Sequence, residues 1–247
     1  MRRILISLAA LGVAGCVVLG NSEAPIATET LPAPQPAAER LLVVVLPGYG
    51  DHGRGDKERA MARTIQEQWP QADVMLASAT YDYYRDGKLV ERLHQDVVAP
   101  AMRAGYRRIW LAGPSLGGLG ALLYEREHSG TLAGVVLFAP FLGDEPLLQE
   151  IRAAGGVLKW DPGQLSHIDA RNYQRHVWKR VKDWAERPAL APRVWLACGS
   201  DDQFMDAARL LATVLPPERF IEMPGGHRWS SWTRIGREVF SRIAASP

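Results

Sequence analysis

Residues 113–120 read GPSLGGLG, directly after the apolar run RIWLA that begins at Arg108. Glycine loses more backbone freedom on ordering than any other residue, so four of them around one hydroxyl point to a geometric demand rather than a helix or strand preference. The demand becomes clear from what surrounds the stretch.

On either side the chain alternates short apolar runs with helical periodicity. Strands are predicted at LLVVVL from Leu41, VMLA from Val74, RIWLA from Arg108, GVVLFA from Gly134, RVWLAC from Arg193 and RFIEM from Arg219. These runs do not alternate with polar residues, as suits strands covered on both faces of a parallel sheet. Between them, helical patterns span Lys57 to Trp69, Val90 to Ala104, Ser115 to His128, Asp202 to Leu215 and Trp229 to Ile243. The alternation predicts an α/β domain, doubly wound around a mostly parallel sheet. More than fifty residues separate GVVLFA from RVWLAC, with helical segments near Pro146 to Ala154 and Ala170 to Glu186; as an insertion after a strand, about 143–190 is expected to form a helical cap over the strand ends.

In such a sheet ligands bind beyond the carboxyl ends of the strands, which is where Gly113-Pro114-Ser115-Leu116-Gly117 falls. The stretch fits G-x-S-x-G, a strand-to-helix turn that presents a serine hydroxyl outward and needs small residues where neighbouring backbone crosses. A hydroxyl is a weak nucleophile at neutral pH and requires a base. Of the six histidines, His94, His128 and His176 lie in helical stretches and read as surface residues, while His52 and His167 fall in a loop and in the expected cap. His227, in MPGGHRW, follows the last predicted strand and is the candidate base. The base in turn needs an orienting carboxylate, and ACGSDDQF offers Asp201 and Asp202, one of which can instead cap the following helix. A developing oxyanion needs backbone donors; the N–H of Leu116, at a helix start, is one candidate.

The chain has 247 residues, enough for one large domain without disulfide or metal support. A net charge of +2 is too mild to argue for nucleic acid. The two cysteines, Cys16 and Cys198, show no metal-ligand spacing with histidine, and Cys198 sits within an apolar run as a buried thiol. No metal and no cofactor is expected.

The N-terminal MRRILISLAALGVAGC has two arginines, an apolar stretch and small residues, the layout of an export signal over residues 1–15. Val13-Ala14-Gly15-Cys16 resembles the lipobox of bacterial lipoproteins, which implies cleavage before Cys16, lipidation of that residue and a membrane-anchored protein of the cell envelope facing the periplasm or exterior. The alternative is an uncleaved anchor, because the apolar run continues through Leu19. Residues 16–39, rich in proline and without apolar periodicity, are expected to be a flexible tether, with the folded domain at 40–247.

Taken with GGHRWSSW, the stretch GPSLGGLGALLY resembles the bacterial serine esterase branches of the α/β-hydrolase superfamily, over about Leu41 to Ile243. Arg228 stands where several of those proteins carry aspartate, and Pro47 where many carry histidine. The resemblance implies an α/β-hydrolase fold and a serine hydrolase that cleaves a carboxylic ester, small or lipid-like, through an acyl-enzyme. It implies Ser115 as nucleophile, His227 as base, Asp202, three residues beyond Gly199, as the acid, and the N–H of Tyr49, in the loop after the first domain strand, as the second oxyanion donor. Acyl transfer to another alcohol uses the same groups, and a non-catalytic envelope binding protein on the same scaffold is the alternative outside enzymology.

Overall fold

The computed structural model describes residues 21–166, 168–169, 171–188 and 193–245, so Cys16 and His167 lie outside the described residues. Its strands are β1 (Thr28–Leu31), β2 (Leu41–Val45), β3 (Ala72–Ala77), β4 (Arg108–Pro114), β5 (Gly134–Phe138), β6 (Arg193–Gly199) and β7 (Phe220–Met223). They form one sheet in the order β1-β3-β2-β4-β5-β6-β7, parallel throughout except for antiparallel β1 at one edge.

The uninterrupted apolar runs are explained by the two layers that cover this sheet. Leu41, Val43 and Val45 of β2 point into one core with α1 (Asp56–Gln68) and α9 (Trp229–Ala245). Leu42 and Val44 point into the other, which holds α5 (Leu116–Glu127) and α8 (Met205–Ala212). With period-two side-chain direction, a strand wetted on neither face must be apolar at every position.

Between β3 and β4 lie α2 (Tyr81–Arg85), α3 (Leu89–Leu93) and α4 (Ala99–Arg103), the last two joined by a π turn over His94–Val98. One helix was expected over 90–104. Pro100 explains the difference: it has no N–H to donate and its ring crowds the carbonyl of Asp96, and the preceding Ala99 N–H reaches back five residues to His94.

The expected tether needs correction over residues 21–33. Thr28 to Leu31 pair with Ala77 to Val74, the Ile26 side chain is buried, and its N–H donates to Asp96 at 2.9 Å. The Ala33 N–H donates to Asp73 at 2.7 Å, and Ser22 Oγ to Asp86 at 2.6 Å. Four residues at a sheet edge, flanked by Pro25 and Pro32, carry too little pattern to announce a strand, yet an edge tolerates such prolines.

The interval expected as a cap contains α6 (Glu145–Ala153) and α7 (Tyr173–Glu186). Helix α7 lies in the helical layer beside α5 rather than above the strand ends. Trp160, Trp178 and Trp184 are each about 1 % exposed or less and belong to the core, with Trp178 Nε1 donating to the Leu142 carbonyl at 2.6 Å. Arg180 of α7 pairs with the buried Glu125 of α5 at 2.6 Å, fixing the two helices to each other. The first turn of α7 also reaches the loop after β5, where Gln174 accepts from the Asp144 N–H and donates to its carboxylate, both at 2.7 Å. Among the described residues, no helix is long and apolar enough to cross a membrane.

Candidate active site

Ser115 sits between the last residue of β4 and the first of α5 with φ 51° and ψ −115°. A non-glycine residue at positive φ is strained, and the surroundings hold this one on both sides. Its N–H donates to the Phe138 carbonyl at 2.9 Å, and its carbonyl accepts from Phe141 at 3.0 Å and Leu119 at 3.2 Å. The elbow is thus clamped to the end of β5. A side-chain carbon on Gly117 would lie 2.7 Å from the Pro47 carbonyl and 2.8 Å from that of Leu46, so glycine is what lets α5 start against the end of β2. Tyr84 adds a donor from behind, its hydroxyl reaching the Leu116 carbonyl at 3.0 Å; burial holds that phenol far above its ordinary pKa, protonated and donating.

Asp202 and His227 are brought together from the ends of β6 and β7. His227 Nδ1 lies 2.9 Å from Asp202 Oδ1 and 3.0 Å from Oδ2, so a carboxylate that only accepts assigns the proton to Nδ1 and leaves Nε2 as the basic nitrogen. The Asp202 side chain is wholly buried, and Oδ1 also accepts from the Phe204 N–H at 3.0 Å. The loops approach this closely because Gly199 and Gly225 face each other: a Cβ on Gly199 would collide with the Gly225 backbone. Asp201 is exposed, and its N–H donates to the Gly225 carbonyl at 3.0 Å.

The histidine ring is held between two aromatic rings that the sequence reading did not assign to the site. Phe204 meets it edge-on at 4.9 Å and Trp232 at 4.8 Å. Trp232 stands five residues beyond His227, in the first turn of α9, and Phe204 two residues past Asp202, signals visible only once both loops are known to converge. Among the described residues no hydrogen bond joins the Ser115 hydroxyl to His227. Such contacts often tighten only when substrate is bound.

Leu116 is the first residue of α5, and Tyr49 lies two residues after Pro47 in the loop whose start Gly117 approaches. Among the described residues neither N–H has an intramolecular acceptor, so both donors are uncommitted. The Tyr49 side chain is exposed and packs edge-on against Tyr81 at 5.1 Å, whose phenol is raised in pKa by burial and then by Tyr49. Cys198 is fully buried at the end of β6, its thiol pushed up to about 12 by burial and then by the neighbouring Asp202, which makes it an inert thiol. The histidines expected at the surface lie elsewhere: His94 and His128 stack at 4.2 Å beside Tyr124, and His176 is buried near Arg126. Among the described residues no cluster of histidine, cysteine and carboxylates could hold a metal ion.

No protein-family model and no curated protein sequence matches the chain. Solved structures do match. Est1E from Butyrivibrio proteoclasticus superposes with a TM-score of 0.61 at 19% identity, over 88% of this chain and 91% of that one. The monoacylglycerol lipase of Paleococcus ferrophilus gives 0.56 at 18% identity, over 89% and 99%, and the S-formylglutathione hydrolase FrmB of Staphylococcus aureus gives 0.57 at 14%, over 91% and 84%. At these identities the likeness is one of fold.

Proposed function

We propose that this chain, which has the α/β-hydrolase fold of those esterases and lipases, is a serine hydrolase that cleaves a carboxylic ester. The observation that carries the reading is the Asp202–His227 pair, with its basic nitrogen left free, on the same sheet end as a serine held at positive φ. Ser115 Oγ attacks the ester carbonyl carbon while His227 Nε2 takes its proton. Asp202 stabilises the imidazolium that results. The N–H groups of Leu116 and Tyr49 receive the oxyanion, which then collapses as His227 returns the proton to the leaving alcohol. Water, deprotonated by the same histidine, releases the acid and restores Ser115.

The substrate is a small-molecule ester. Est1E has been solved with ferulic acid bound, and a monoacylglycerol lipase shares the fold, so both aromatic and aliphatic acyl groups belong in the test. Purified protein is incubated with a fluorophosphonate and assayed on p-nitrophenyl esters of increasing chain length and on methyl ferulate. Labelling at Ser115 together with turnover of at least one ester is expected. A chain that neither labels nor hydrolyses is a binding protein on this scaffold.

The same reading places the protein in the cell envelope, held by lipid on Cys16, on the strength of the Val13-Ala14-Gly15-Cys16 pattern. Metabolic labelling with a fatty-acid analogue is expected in the native chain and lost in Cys16→Ala. Label that persists in the variant rules the anchor out.

A further inference from the structure

An open cleft of about 410 Å³ lies between the N-terminal turns of α1 and α9, lined by Lys57, Ala60, Trp229, Ser230, Thr233, Arg234 and Arg237. The size is that of a small-ligand site. Its donors are three cations and two hydroxyls, and no carboxylate lines it. Two of the cations have carboxylate neighbours just outside: Lys57 faces Asp51 at 3.4 Å and Arg237 faces Glu67 at 3.0 Å. Both pairs involve half-exposed or more exposed cations, so they are weak and can be exchanged for a ligand. Arg234 donates to the Pro224 carbonyl, which satisfies a donor without neutralising charge, and among the described residues it forms no ion pair. Three cations less two carboxylates leave one uncompensated positive charge. The Trp229 indole, Ala60 and the aliphatic stems of the basic residues supply the apolar remainder.

We propose that this cleft binds an amphiphilic anion, a single carboxylate or phosphate group carried on an apolar body, at a site separate from the candidate ester site. The charged group sits between Arg234, Arg237 and Lys57 with the hydroxyls of Ser230 and Thr233 as neutral donors, and the apolar body lies along Trp229. Two links join the cleft to the candidate ester site: Trp229 packs on Trp232 at 5.5 Å and Trp232 on His227 at 4.8 Å, while Asp51, in the loop that carries Tyr49, accepts from the Trp229 indole N–H at 2.7 Å and faces Lys57 at 3.4 Å.

The test is a calorimetric titration of the full chain carrying Ser115→Ala, so that binding is read without turnover and independently of whether the protein is an esterase. Dodecyl phosphate below its micelle concentration is expected to bind, inorganic phosphate about tenfold more weakly or worse, and Arg234→Gln with Arg237→Gln to weaken dodecyl phosphate by about tenfold or more. Lys57→Gln, on the other helix, is expected to weaken it in the same direction and guards against a local defect in α9. Co-sedimentation with phosphatidylglycerol and phosphatidylcholine vesicles separates the sources: arginine-dependent binding to phosphatidylglycerol alone indicates a lipid headgroup, and binding of dodecyl phosphate without vesicle binding indicates a free amphiphile. Equal affinity for dodecyl phosphate in the Ser115→Ala chain with and without the arginine or lysine changes, or no binding of any probe, overturns the proposal.

Discussion

The Trp229 indole N–H donates to Asp51 Oδ2 at 2.7 Å, joining the first turn of α9 to the loop after β2 across 178 residues of sequence. That loop carries Tyr49, and its tight turn is closed by the Asp51 N–H on the Gly48 carbonyl at 3.3 Å. The bond therefore sets the loop with the Tyr49 donor against the helix that follows His227. Trp229→Phe keeps the packing on Trp232 but leaves a mostly buried carboxylate short of a donor, with only the longer contact to Lys57. The expected cost is about 1–3 kcal/mol of stability. On the proposal that the Tyr49 N–H receives the oxyanion rather than contacting bound ester, kcat is expected to fall about tenfold or more with KM little changed. Denaturant melts and steady-state kinetics on one ester check both; an unchanged kcat detaches this loop from catalysis.

The two aspartates after β6 are expected to separate cleanly. Asp202→Asn replaces the acceptor of the His227 Nδ1 proton with an amide that can donate, favouring the wrong tautomer, and should cost on the order of 10⁴ in kcat. Asp201 is exposed and uses its backbone, not its carboxylate, toward Gly225. Asp201→Asn should keep most of the rate. Folded, purified variants showing the opposite pattern would transfer the acid to Asp201.

At Ser115 the backbone strain supplies a second readout beyond lost activity. Ser115→Ala and Ser115→Gly should both abolish ester hydrolysis and fluorophosphonate labelling. Alanine keeps the cost of φ 51°, whereas glycine relieves it, so the glycine variant should be the more stable of the two by about 1 kcal/mol. Thermal denaturation of the pair measures it, and equal midpoints would show that the turn stores no strain.

Removing residues 1–39 should damage the protein, contrary to the behaviour of a tether. It strips β1 from β3, leaves the outer edge of β3 over Val74 to Ala77 unpaired while its other edge stays on β2, and takes Ile26 out of the core. An exposed apolar strand edge invites association. A chain starting at residue 21 should be monodisperse and cooperative in melting, and one starting at residue 40 less stable and prone to aggregate. Light scattering and melting curves compare them.

Much of this protein is written locally. The two-sided apolar runs of β2, β4, β5 and β6 reveal a covered parallel sheet because side-chain direction alternates along a strand whatever lies beside it. GPSLGGLG reveals the elbow because close backbone crossing excludes side chains, a constraint borne by the residues of the turn themselves. The tertiary structure decided matters that depend on what arrives from elsewhere in the chain. β1 exists as a strand because β3 presents an edge to it, not because TETL favours extension. Asp201 and Asp202 are chemically alike and adjacent; the approach of Gly225 to Gly199 is what brings His227 onto one of them and not the other. The tryptophans of α7 became core because α7 lies beside α5, and an amphipathic pattern records that a helix has a buried face without recording which surface buries it.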